Sequence, residues 1–217
     1  MADVAIQTPD KQRLRQVEFY LFTIIAFIGK SLLLVQLPYR PWYVNTIYTV
    51  LLLVFLYSYF RFRQNIQLPA FVIFCLAAAV GTDVLGNLFQ LYGDQPWIGP
   101  IYFDEFSHFV GSGFSLVPAY WLLRATTRRM GFKLPVDMTA FFAVTITFSL
   151  CAYYEILELW DEKFYTAPGW RLHSPTDSPN DLQWDLAGIV TAALIATLVF
   201  KLTDRNKKLE ENAALSS

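Results

Sequence analysis

The chain has 217 residues, of which 55% are hydrophobic, 17% aromatic and only 16% charged. Soluble domains carry about 25% charged residues, so this composition excludes an ordinary water-soluble globule, and its aromatic content excludes a disordered chain. The formal net charge of −1 gives no reason to expect nucleic acid as a partner.

In chain order, residues 1–16 form a polar segment with Lys11, Arg13 and Arg15. An apolar run follows that is too long for a signal-peptide core and lacks a small-residue cleavage site, so it reads as an uncleaved first span. Six segments approach the roughly 20 residues that a bilayer requires: 17–37, 43–60, 68–92, 104–124, 136–160 and 183–202. All are expected to be helices, because a lipid-exposed backbone must satisfy its own hydrogen bonds. Residues 203–217 form a short polar tail, readable also as the frayed end of the sixth helix. The expected architecture is an all-α polytopic bundle of about six transmembrane helices over residues 17–202. Cys75 and Cys151 both fall in apolar runs and read as small core residues rather than a disulfide framework.

Basic residues set the expected orientation. Thirteen of the seventeen fall on one side, from Lys11, Arg13 and Arg15 to Arg124, Arg128, Arg129 and Lys133 and the tail. Only Arg40, Lys163 and Arg171 fall on the other, and Lys30 lies within the first span. Both termini are therefore expected in the cytoplasm. Eleven of the eighteen acidic residues lie in the outer half or outer loops, a skew that the topology rule does not produce.

Several of these acids lie within spans. Asp104 and His108 are spaced i,i+4 on the fourth span, Glu155 and Glu158 i,i+3 on the fifth, and Asp181 and Asp185 i,i+4 at the start of the sixth. Such spacings put both members of a pair on one helix face. Asp83 and Asn87 lie on the third span, and Lys30 sits two turns below the outer end of the first. Gly111, Ser115 and Gly188 continue these faces as small residues that permit close helix approach. An unpaired charge within a span costs about 2.5–3.5 kcal/mol, so several at one depth imply pairing with each other or with an ion. One histidine among several carboxylates suits a divalent metal. The expected ligands are Asp104, His108, Glu155 and Asp185, with Asp104, His108, Glu155 and Glu158 as acid–base groups. Asp83, Asn87, Lys30 and Asp181 would support them, and Asp181 would alternatively cap the sixth helix. Without a metal, the same carboxylates suit proton or cation transfer.

The stretch from Tyr102 to Gly111, the segment Tyr154-Glu155-Ile156-Leu157-Glu158 and the segment Asp181-Leu182-Gln183-Trp184-Asp185 resemble the YjdF-like family of small bacterial inner-membrane proteins. Asp83-Val84-Leu85-Gly86-Asn87 and Leu91-Tyr92-Gly93 are similar as well. A looser similarity runs to the VanZ-like membrane proteins, which share the order Asp-x-x-x-His-Phe, Glu, Asp across spans. Phe103 stands where the YjdF-like pattern expects Tyr, and Ser174 to Asn180 replace that family's glycine-rich lead-in. The resemblance implies a multi-pass protein of the bacterial inner membrane, and no reaction.

Three roles are weighed. The first is metal-dependent hydrolysis or transfer at the outer leaflet. The second is an accessory subunit of a membrane complex, with a membrane-protein partner or a second copy of the chain against its aromatic first two spans. The third is proton- or cation-coupled transport, disfavoured because the polar groups gather in the outer third rather than at the midplane.

Overall fold

The computed structural model describes residues 58, 59, 62, 66, 68–93, 95–164 and 176–215. The first expected span, most of the second, and Lys30 lie outside them. Four helices follow one another: α1 Ala70–Leu88, α2 Phe103–Arg129, α3 Val136–Phe164 and α4 Asp177–Leu215. No strand pairs among the described residues beyond an isolated bridge between Ile98 and Ile101.

Local chemistry sets the helix ends. Pro69 precedes α1, and its carbonyl accepts from the Val72 and Ile73 amides. Pro135 precedes α3, and its carbonyl accepts from both the amide and the hydroxyl of Thr139 at 2.9 Å. A proline at this point loses no helical hydrogen bond and presets φ. α1 stops where Gln90 turns to φ 53° and the Leu91 amide reaches back to the Gly86 carbonyl, the 6→1 bond of a left-handed helix terminus. α2 stops in the same way, with Gly131 at φ 86° and the Phe132 amide on the Thr127 carbonyl.

Two helices, Val136–Phe164 and the Asp177–Thr203 part of α4, are long and apolar enough to cross a membrane. Only 17% of each apolar stretch is buried. A core helix of a soluble protein of that hydropathy would be mostly covered. Here Phe141, Leu150, Leu194, Ile195 and Leu198 face outward, as lipid-facing side chains do. α2 carries Asp104 and Glu105 in its first turn and Arg128 and Arg129 in its last, which shortens its apolar stretch.

α2 is the hub, touching α1, α3 and α4, and α3 also packs on α4. Leu116 and Tyr120 of α2, Ala143 of α3, and Ile189 and Ala193 of α4 form the main core. Val72 and Ile73 pack with Trp121 and Leu122 between α1 and α2. The Tyr120 hydroxyl donates to the Val136 carbonyl at 3.3 Å, and the Tyr120 ring stacks on Phe200 at 5.1 Å. These contacts make successive helices antiparallel and α2 parallel to α4. α4 also continues well beyond residue 202. The polar tail expected at 203–217 is helical as far as Leu215.

Gly188 sets the spacing of α2 and α4. A Cβ there would run into the Phe109 carbonyl oxygen and the Ser112 hydroxyl. The backbones can meet this closely only without a side chain. We expect Gly188→Ala to cost at least about 2 kcal/mol, as overpacking does when backbone must move. Thermal unfolding of the purified protein in detergent checks this; an unchanged transition temperature would contradict the close contact.

Candidate metal centre

The parallel run of α2 and α4 brings their first turns side by side. His108, in the second turn of α2, points toward α4, and its side chain is 14% exposed. Its Nδ1 lies 3.2 Å from Asp185 Oδ1. Its Nε2 lies 3.8 Å from Asp104 Oδ1 and 3.9 Å from Asp181 Oδ2. The rising α3 delivers Glu155 to the same place. One ligand atom each from Asp104, His108 and Asp181 lie within 4.8 Å of one another, and the same holds for His108, Glu155 and Asp185. Either trio could hold a cation.

Burial is uneven across the cluster. Glu155, Asp181 and Asp185 are each 3% exposed, whereas the Asp104 side chain is 33% exposed and forms the open edge. Both Glu155 oxygens and Asp181 Oδ1 are buried with no hydrogen-bond partner among the described residues. The Ser178 hydroxyl lies near Glu155 without reaching hydrogen-bond geometry. A buried carboxylate without a donor is costly unless it pairs or coordinates a metal.

The surroundings hold the cluster in place. The Ser112 hydroxyl donates to the Asp185 carbonyl at 3.0 Å, tying α4 to α2 one turn below His108. Asn180 Nδ2 donates to Glu105 Oε1 at 3.3 Å, and the Tyr102 amide donates to Glu105 Oε2 at 3.1 Å, so Glu105 joins both helix starts. On the α1 side, Trp97 packs against Phe106 at 4.7 Å and against Phe103 at 5.1 Å. The Tyr92 hydroxyl donates to Ser107 Oγ at 3.2 Å, and the Ser107 hydroxyl donates to the Asp104 carbonyl at 2.9 Å. The aromatic loop after α1 thereby fixes the turn that carries Asp104.

Of the residues expected at the site, Asp104, His108, Glu155, Asp181 and Asp185 come together. Glu158 is half-buried on α3 and belongs to neither trio. Asp83 and Asn87 lie on α1, but their side chains are outside the described residues, as is all of Lys30. Asp181 does not cap its helix. α4 starts at Asp177, which places Asp181 in the second turn, inside the cluster. The small residues divide by face: Gly111 approaches the Ala79 carbonyl of α1, whereas Gly113 and Gly188 form the α2–α4 contact. Sequence reasoning missed Ser112, whose hydroxyl bonds across helices, and it read Cys151 as plain core. Cys151 lies one turn below Glu155 with its thiol toward Asp185. Its i,i+4 spacing from Glu155 was the available signal.

A family model described as "Predicted membrane protein (DUF2238)" matches residues 17–206 of the chain. No curated protein and no solved structure matches it.

Proposed function

The chain belongs to this family of predicted membrane proteins, and on that premise we propose that it binds divalent metal at the His108 cluster and uses it for hydrolytic or transfer chemistry at the outer face of the membrane. The observation that carries the reading is Glu155, buried at 3% exposure, with neither oxygen partnered, in one trio with His108 and Asp185. A bound divalent ion would supply a Lewis acid and a water of lowered pKa. Either His108 with Asp104 and Asp181 or His108 with Glu155 and Asp185 would hold it. The exposed edge at Asp104 leaves a side open to substrate, as catalytic metal sites require.

The finer topology belongs to the same reading: about six spans, both termini cytoplasmic, in a bacterial inner membrane, with the YjdF-like resemblance. Its support is the polarity of the helices. His108 and its carboxylates occupy one end of α2 and α4. Arg124, held over the Phe200 ring at 4.2 Å, and Lys201, 2.7 Å from Asp137, occupy the other. Sixteen residues of helix separate His108 from Arg124, or about 24 Å. Basic groups at one end favour a cytoplasmic position for it, which supports an outward-facing cluster.

The test is metal retention. Protein purified in detergent should carry divalent metal, and Asp104→Ala and Glu155→Ala should each carry less of it and lose thermal stability. Wild-type protein with no metal, and with no gain in stability on adding Zn²⁺ or Mn²⁺, would remove the proposal.

A further inference from the structure

We infer that this site takes two divalent cations, one on each side of the His108 ring, the first with Asp104 and Asp181 and the second with Glu155 and Asp185. The inference rests on the metal reading above and extends it. Its first ground is geometric. The two trios share only His108, and they meet different edges of its ring: Nε2 faces Asp104 and Asp181, while Nδ1 faces Asp185. A neutral imidazole has one lone pair and one N–H, so a single cation can use only one trio.

The second ground is the distribution of unpartnered oxygens. Glu155 Oε1 and Oε2 belong to the Nδ1-side trio and Asp181 Oδ1 to the Nε2-side trio. Both residues are 3% exposed. A cation on the Nδ1 side alone would leave Asp181 Oδ1 unpartnered, and one on the Nε2 side alone would leave both Glu155 oxygens so, the arrangement that native interiors avoid. The third ground is charge. Four carboxylates surround one histidine, and among the described residues His108 is the only basic group in ion-pair distance of Asp181 and Asp185. Two dications bring the four carboxylates and the deprotonated ring to a net −1, whereas one dication beside a neutral ring leaves −2.

A donor set of one ring nitrogen and two carboxylate oxygens per cation favours first-row metals such as zinc over magnesium or calcium. Occupying both ring nitrogens requires the His108 ring proton to leave for bulk water, so loading releases protons. No bond other than that N–H breaks, and no electron is transferred.

The experiment uses the full chain in detergent, stripped with chelator, loaded with Zn²⁺, desalted and analysed by mass spectrometry for metal per chain. Two equivalents are expected in the wild type. About one should remain in the Asp104→Asn/Asp181→Asn double variant, and about one in the Glu155→Gln/Asp185→Asn double variant. One equivalent in the wild type overturns the two-cation assignment and leaves the metal reading standing. None overturns the reading itself. Two equivalents that survive both double variants, or vanish together in either, overturn the placement on opposite sides of the ring. The wild-type count needs no variant and decides the matter if a double variant does not fold.

Discussion

His108→Ala should weaken zinc binding by more than about 100-fold, because loss of an outer-sphere partner alone typically costs 10–100-fold and His108 belongs to both trios. No other side chain can take its place. It is the sole nitrogen ligand in either trio, and its ring stands between Asp185 at 3.2 Å and Asp104 and Asp181 at 3.8 and 3.9 Å. The variant should also be less stable without metal. It removes the ring nitrogen that pairs with Asp185 in a buried setting and leaves the Cys151 thiol beside it, and a poorly satisfied buried group costs about 1–3 kcal/mol. Isothermal titration with Zn²⁺ and a thermal melt in chelator separate the two effects. Wild-type affinity in the alanine variant would place the metal elsewhere.

Glu155→Gln should change sign with metal. In metal-free protein the wild-type carboxylate is buried and unpartnered, and a neutral amide of the same shape removes a burden, so stability should be equal or higher. Replacing buried charged groups by neutral ones is often neutral or stabilising for this reason. In metal-loaded protein the order should reverse. A ligand at 1,000 times its dissociation constant stabilises the folded state by about 4 kcal/mol, and the variant forfeits much of that. Paired melts with chelator and with excess Zn²⁺ check the crossing. A destabilisation of equal size in both conditions would mean that Glu155 serves packing alone.

Hydropathy read the helices well where their ends are apolar and less well where they are polar. It began the last helix at 183 and ended it at 202, whereas α4 runs from Asp177 to Leu215. Hydropathy measures the stretch that fits lipid. The turns beyond it, from Asp177 to Gln183 and from Lys201 to Leu215, are made of residues that tolerate a helix in water. The same six-residue difference at the start moved Asp181 from a capping position to the second turn. Along one helix the site was legible, since Asp104 and His108 lie i,i+4 and share a face as that spacing dictates. Across helices only the shared depth of Asp104, His108, Glu155 and Asp185 was legible, not their mutual geometry. The i,i+3 spacing put Glu155 and Glu158 on one face, with Glu155 expected as ligand and both as acid–base groups; the rotation of α3 about its axis turns Glu155 into the cluster and leaves Glu158 outside both trios. That rotation is set by packing at Ala143, Ile189 and Leu116, which no spacing within α3 encodes. The α2–α4 approach was legible at Gly188 only as a small residue; its meeting with Phe109 and Ser112 depends on which helices are neighbours.

The most direct measurement is anomalous diffraction at the zinc edge from crystals of zinc-loaded protein. A peak is expected about 2.0–2.2 Å from a His108 ring nitrogen and from carboxylate oxygens of Asp104 and Asp181 or of Glu155 and Asp185. A zinc-saturated crystal with no peak beside His108, or with its peak at another part of the bundle, would contradict that expectation.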